Sequence, residues 1–223
     1  MKKSAQVKTK RLYISPLTDS QLEQAAASEQ DEHMKAAYGE MLSGCRSYPE
    51  SRLWYTDWLI SLRDGTVVGG IGFKGVPDEF GEVEFGYATE PEYRRKGYMT
   101  EACAAMCEWA FAHSDVYFVT AETEPDNAAS QGLLKKIGFT EYGMGEEGPR
   151  FERERSGMSW SAVYMLFGVS IGLSLGMATD NAVLPMLIGA AIGAALGFSF
   201  DAAAKKKLRD KRTAREEKRG NGK

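Results

Sequence analysis

Hydrophobic and polar positions change rhythm twice along this chain, and the changes predict its elements. Arg11–Pro16 (RLYISP) alternates as a first strand, and Thr18 is placed to cap a helix running to Ala27. Residues 1–9 read as a lead-in, and a second helical pattern runs from Glu32 to Leu42, ending near Gly44. Trp58–Leu62 and Val67–Lys74 are strand-like, and Asp64-Gly65 between them is a strong hairpin signal. Pro77–Gly81 is a turn, and Glu82–Ala88 (EVEFGYA) is the third strand of the meander. The period then becomes helical from Thr100 to His113, with Ala102, Met106, Trp109 and Ala110 facing inward. Val116–Ala121 follows as a strand, Asn127–Ile137 as a helix, and Phe139–Tyr142 and Pro149–Glu154 as closing strands. A strand, a helix and a strand between Glu82 and Ala121 call for a parallel pair with a crossover. The predicted fold class is therefore α/β (α+β) with a mixed sheet.

After residue 158 the pattern loses polarity altogether. Ser159–Ala178 and Ala182–Phe200 contain no Asp, Glu, Lys or Arg. As helices at about 1.5 Å per residue, each is roughly as long as the hydrocarbon layer of a bilayer is thick, about 30 Å. With only Thr179, Asp180 and Asn181 between them, residues 158–202 are expected to form a transmembrane α-helical hairpin. Gly168, Gly172 and Gly176 recur every fourth residue in the first run, as Gly189, Gly193 and Gly197 do in the second. Such spacing lines one helix face with small residues, so the two stripes either face each other or face other copies in a homo-oligomer. Pro185 falls in the first turn of the second helix, and Trp160 and Tyr164 suit a membrane interface. Arg150, Arg153 and Arg155 precede the hairpin, and Lys205, Lys206, Lys207, Arg209, Lys211 and Arg212 follow it. The positive-inside bias then places both termini in the cytoplasm and residues 203–223, partly helical or disordered, against anionic headgroups.

Charge sharpens the division. Residues 1–158 hold 18 Lys+Arg against 26 Asp+Glu, and residues 159–223 hold 10 against 5. An acidic first part argues against nucleic acid as a partner, since gripping phosphates needs clustered Lys and Arg. Cys45, Cys103 and Cys107 match no metal-ligand or secreted-disulfide spacing and are expected as buried thiols, with no metal site. The start of the chain has basic residues with no apolar run behind them and does not read as a signal peptide.

Two stretches carry candidate chemistry. Glu90-Pro91-Glu92-Tyr93-Arg94-Arg95-Lys96-Gly97-Tyr98-Met99-Thr100 leaves a strand and opens a helix through a cationic turn with one glycine. Backbone N–H groups at such a junction, the helix N-terminal partial charge and three cationic side chains suit a pyrophosphate. The second stretch is Pro125-Asp126-Asn127-Ala128-Ala129-Ser130-Gln131-Gly132-Leu133-Leu134-Lys135-Lys136-Ile137-Gly138-Phe139. In this order, with a strand between them, the two resemble the motifs of the GNAT family of acetyl-CoA-dependent N-acetyltransferases. Arg94 and Gly97 match its Arg/Gln-x-x-Gly-x-Gly/Ala element, with Met99 at its last position. The second stretch is similar to the Asn-x-x-Ser…Gly-Phe segment of the group that acetylates ribosomal-protein N-termini and related amines. The resemblance runs from about Thr9 to Tyr142.

That resemblance implies a mostly antiparallel central sheet with flanking helices over residues 1–157, and acetyl-CoA and an amine as substrates. It implies that Arg94 and the backbone amides of Arg95, Lys96, Gly97, Tyr98, Met99 and Thr100 hold the pyrophosphate. The main chain at Tyr87, Ala88 and Thr89 would pair with the pantetheine arm, and Asn127 and Ser130 would hydrogen-bond near the thioester. A backbone N–H near Tyr87 or Ala88 would face the oxyanion. Glu84 is the first choice for the base and Glu122 the second, each also readable as an ordinary solvated strand carboxylate. Met99, larger than the family's usual Gly or Ala, implies looser packing against the cofactor. Leu134 stands where a branch of the family has a tyrosine acid, leaving that role vacant or to Tyr142. Trp54, Tyr55 and Trp58 are open between lining an acceptor pocket and packing on the sheet, and His33 and His113 read as surface or cap residues. Two other functions stay open: a non-catalytic acyl-CoA-binding scaffold, and an oligomerising membrane protein.

Overall fold

A computed structural model describes residues 5–157, 159–178 and 183–221, in two compact units divided between Arg155 and Ser156. The first unit is an eight-stranded sheet in the order β1-β2-β3-β4-β5-β6-β8-β7. Its opening strand, β1 (Val7–Lys8), lies in what the sequence suggested was a lead-in, paired with β2 (Leu12–Pro16) because Val7 reaches the core opposite Ile14. Thr18 caps α1 (Asp19–Ser28) in a full capping box with Gln21. Next, α2 (Glu32–Ser47) runs straight through Gly44, where a helix end was expected. The ring of Tyr55 packs there so closely that a Cβ would sit 2.5 Å from its Cδ1, so this glycine is a packing notch and not a stop.

The hairpin of β3 (Asp57–Leu62) and β4 (Val67–Phe73) turns at Asp64-Gly65, and β5 (Glu82–Thr89) completes the antiparallel meander. A crossover through α3 (Tyr98–Phe111) leads to β6 (Phe118–Glu122), which lies parallel to β5. Then come α4 (Ala128–Lys136), β7 (Thr140–Met144) and β8 (Pro149–Glu154), with β8 inserted between β6 and β7. One feature positions the site. β5 bonds to β6 only over Glu82, Val83 and Glu84, whereas it stays paired with β4 from Phe85 to Thr89. The sheet therefore splays open along the second half of β5.

Under the sheet, α3 buries Met99, Ala102, Cys103, Met106, Cys107 and Ala110. Trp58 is fully buried, with its ring 5.2 Å from Trp109, and Trp54 sits 4.7 Å from the same ring. Both tryptophans are core residues and do not line a pocket, because the alternation of β3 turns Trp58 toward α3. Tyr55 stacks at 5.2 Å on Tyr48. His113 closes the end of α3, its Nδ1 3.0 Å from the Trp109 carbonyl, and His33 is exposed on α2. All three cysteines are buried and free; burial pushes the Cys103 and Cys107 thiols up, away from nucleophilic use.

The second unit is a helical pair, α5 (Trp160–Ala178) and α6 (Val183–Asn221), each long and apolar enough to cross a membrane by length and composition. Gly168 meets the backbone of Gly189, Gly172 that of Pro185 and Met186, and Gly193 that of Tyr164. An added Cβ at any of these would collide with the opposite helix, so the glycines face across the pair. The Asp201 carboxylate accepts from the Trp160 and Ser161 N–H groups at 2.7 and 3.1 Å, capping α5 from the other helix. The basic segment past Phe200 is helical through Asn221, continuous with α6. The expected connector, Thr179, Asp180 and Asn181, lies outside the described residues. Phe167, Ile171, Leu175 and Ile192 project outward, exposed.

Two glycines of α2 separate crowding from helix propensity. Gly44→Ala is expected to destabilise the first unit by about 1–3 kcal/mol through overpacking on Tyr55. Gly39→Ala, where nothing lies within 4 Å, is expected to stabilise it by about 0.5–1 kcal/mol. Urea unfolding of the two variants checks the opposite signs.

Candidate functional site

Where β5 ends, a single 3-10 turn (Pro91–Tyr93) leads into the cationic loop. Arg95 takes a left-handed conformation (φ 60°) and so does Gly97 (φ 76°), which is the N-cap of α3 and carries no side-chain cap bond. The first N–H groups of a helix have no intrahelical acceptor, so this end presents donors and a partial positive charge. Arg11 of the β1–β2 connection orients the loop from behind. Its guanidinium donates to the Lys96 and Gly97 carbonyls at 3.1 Å each and pairs with Glu101 at 2.6 Å, and Thr9 also donates to Glu101. In a trans peptide the N–H points opposite to its carbonyl, so the Gly97 and Tyr98 amides face away from Arg11. Arg94, Arg95 and Lys96 are exposed around them, with Arg94 Nε donating to the Thr89 carbonyl at 3.3 Å.

Met99 does not loosen this loop. Its side chain is buried in the core, its Cε 3.1 Å from where Gly69 would carry a Cβ, so the extra bulk is absorbed beneath the sheet.

On the splayed half of β5, Gly86 and Ala88 are exposed and Tyr87 turns to the other face. The Tyr87 hydroxyl lies 2.6 Å from Ser130 Oγ on α4, and burial pushes its pKa well up, so it stays protonated. Asn127 caps α4, its Oδ1 accepting from the Ser130 N–H at 3.1 Å. Thus Tyr87, Asn127 and Ser130 meet at one place beside the open edge. Leu134 is fully buried and supplies no acid. Tyr142 lies on β7, separated from β5 by β8 and β6, and is too distant to take that role. The hydroxyl at the splay belongs to Tyr87, which the sequence offered only for its main chain.

Glu84 and Glu122 meet through a residue not picked out by motif. Arg150 on β8 pairs with Glu82 at 2.6 Å, Glu122 at 3.1 Å and Glu84 at 3.6 Å, and Lys74 pairs with Glu84 at 2.6 Å and Glu147 at 3.1 Å. Asp57 was also missed, lying in a strand with no neighbouring motif. Its register row is Asp57, Gly72, Gly86 across β3, β4 and β5. Desolvation by burial raises its pKa from 3.8 to about 6, opposed by the Trp58 N–H.

With this geometry in view, the comparisons with known proteins converge. The acetyltransferase (GNAT) domain family matches residues 11–140. The chain is 44% identical over 86 residues to the uncharacterized N-acetyltransferase YjdG of Bacillus subtilis, a match covering 38% of this chain and 51% of YjdG, about half that relative's length. It is 27% identical over 151 residues to the uncharacterized N-acetyltransferase YoaA of the same organism, covering 62% of this chain and 84% of YoaA. Among solved structures, a putative ribosomal-protein-serine acetyltransferase from Vibrio cholerae superposes with a TM-score of 0.54 at 19% identity, covering 70% of this chain and 100% of that one. A ribosomal L7/L12 alpha-N-protein acetyltransferase in complex with coenzyme A gives 0.54 at 14% identity, covering 67% and 98%. The chain belongs to the GNAT acetyltransferase family, whose chemistry is acyl transfer, and the first unit has that family's mixed α/β fold.

Asp57 sets a pH signature. Its folded pKa is raised, so between about pH 4 and pH 6 the folded chain keeps a proton that the unfolded chain has released, and stability falls as pH rises through that window. Asp57→Asn removes the desolvated charge and is expected to stabilise the fold at pH 7.5 by on the order of 2 kcal/mol, with little change at pH 4. Denaturant unfolding at the two pH values measures it; equal effects at both would contradict the assignment.

Proposed function

We propose that the chain transfers an acetyl group from acetyl-CoA to an amine while anchored in a membrane by α5 and α6. The observation that carries the reading is the splay: the edge of β5 from Phe85 to Thr89 is open and leads directly to the uncapped start of α3. That edge offers backbone partners to an extended pantetheine arm, and Arg94 with the amides from Arg95 to Thr100 offers donors to a pyrophosphate. The L7/L12 acetyltransferase, a protein of the same fold in complex with coenzyme A, supports coenzyme A as the ligand.

In the reaction the amine nitrogen attacks the thioester carbonyl, the C–S bond breaks, a base takes the nitrogen's proton and the departing thiolate is protonated. An N–H at Tyr87 or Ala88 would stabilise the oxyanion. Glu84 stands on the last row where β5 and β6 are bonded, making it the first base, with Glu122 second through Arg150. The Tyr87–Ser130 hydroxyl pair would orient the arm and return the proton to sulfur. The acceptor would be a protein N-terminus, by analogy with the ribosomal-protein acetyltransferases that share the fold, or a small amine.

Residues 1–157 would form the catalytic domain, 158–202 the membrane hairpin and 203–223 a basic tail. Exposed Phe167, Ile171 and Leu175 suit lipid contact better than water. Basic residues flanking both ends favour a cytoplasmic catalytic domain, with Lys205–Arg212 near anionic headgroups. The glycines already spent on each other inside the pair favour a closed hairpin over a homo-oligomer built on the same stripes.

Two experiments test the halves separately. Titration calorimetry should show acetyl-CoA binding that Gly97→Glu abolishes and that Arg94→Ala or Arg11→Ala weakens about tenfold, the loss of one charge-assisted contact. Glu23→Ala, on α1, should bind as wild type. Equal affinity in all four variants would refute the site, and a turnover assay on an amine and peptide panel then separates catalysis from mere binding. For the anchor, the full chain should stay with membranes through alkaline carbonate washing while a chain ending at Gly157 is released; release of both would remove the membrane from the proposal.

A further inference from the structure

We propose that Asp57 is the acceptor-binding anion of this enzyme, holding the ammonium group of a cationic amine at the open half of β5. The inference rests on the acetyl-transfer reading above and adds the chemical class of the acceptor and the sheet face it approaches.

On the face carrying Asp57, the row running to the open edge holds only glycines: Gly72 on β4 and Gly86 on β5. Gly70 and Ala88 form the parallel row beside it. With strands about 4.8 Å apart, this floor runs roughly 10 Å from Asp57 to β5 without a side chain in the way. The carboxylate leans over it, since a Cβ on Gly70 would lie 2.7 Å from Asp57 Oδ2 and one on Gly72 would lie 3.3 Å from Oδ1. A Cβ on Gly86 would meet nothing within 4 Å, so the far end of the floor is open.

Charge balance singles out the same residue. Glu82, Glu84 and Glu122 share Arg150 and Lys74. Among the described residues no Lys, Arg or His lies within ion-pair distance of Asp57; the Trp58 N–H only partly offsets the desolvation of its carboxylate, and the Tyr38 hydroxyl of α2 lies in its field. A carboxylate withdrawn from water without a countercharge is costly, and a bound ammonium would supply that charge. A neutral arylamine or an alcohol would not.

The test uses the full chain in mild detergent and pairs of coenzyme A thioethers that differ only at their ends. S-propyl- and S-(3-aminopropyl)-coenzyme A form one pair, and the six-carbon homologues form the other. In wild type, at one of the two lengths, the ammonium-ended probe should bind about tenfold or more tighter than its uncharged partner, the scale of a charged hydrogen bond. Asp57→Asn should erase that preference. Gly70→Ala, which crowds the carboxylate without removing its charge, should reduce it, and binding of the uncharged probe reports that each variant is folded. If no probe binds wild type, the acetyl-transfer reading itself fails. If the probes bind without preference at both lengths, or the preference survives in Asp57→Asn, the assignment of Asp57 is overturned while the cofactor cleft stands.

Discussion

The constraint on which the first unit depends is a ladder left half built. β5 keeps its bonds to β4 through Thr89 but gives up β6 after Glu84, so one edge of a central strand has no strand partner among the described residues. Backbone donors and acceptors inside a fold demand partners, and an open central edge is expensive unless something extended can complete it. Everything near the site serves that gap. α3 starts where β5 ends, α4 brings Ser130 against Tyr87 beside it, and the glycines of β4 and β5 keep one face of it clear.

The loop that would receive a phosphate is held from outside itself. Arg11 and Glu101 come from a strand connection and from the first turn of α3, and together they draw the loop carbonyls to one side. The pair is partly exposed, so its worth as a salt bridge is small; its effect is orientational, turning the adjoining amides the other way. The carboxylate cluster follows a similar logic. One arginine on β8 gathers three glutamates from two strands, which keeps a dense negative patch folded, while among the described residues no cation pairs with Asp57.

The second unit is organised by different physics. Contact between α5 and α6 depends on how closely the backbones approach, the arrangement that would serve in an apolar solvent, where apolar side chains gain nothing by pairing. Gly168 against Gly189 and Gly193 against Tyr164 allow that approach, and Asp201 ties the start of α5 to the other helix.

Much of this was readable from residue order alone. Period-two runs, the Asp64-Gly65 turn, the Thr18 cap and the two uncharged runs are local signals, and local chemistry forms strands, turns and helices wherever it occurs. The cationic loop and the Asn127–Ser130 segment were legible for the same reason, since each is contiguous. Gly44 misled because a glycine reads as a helix stop until the ring of Tyr55 is seen to fill the space it leaves. Arg11, Arg150, the Tyr87 hydroxyl and Asp57 carried no signal, because each acts on residues distant in the chain that only strand register and crossover bring within reach. Sequence by itself determined which segments are strand, helix or apolar span. Tertiary structure decided which carboxylates are neutralised and which edge stays open, because ion pairing and ladder completion depend on distances between strands and not on positions along one.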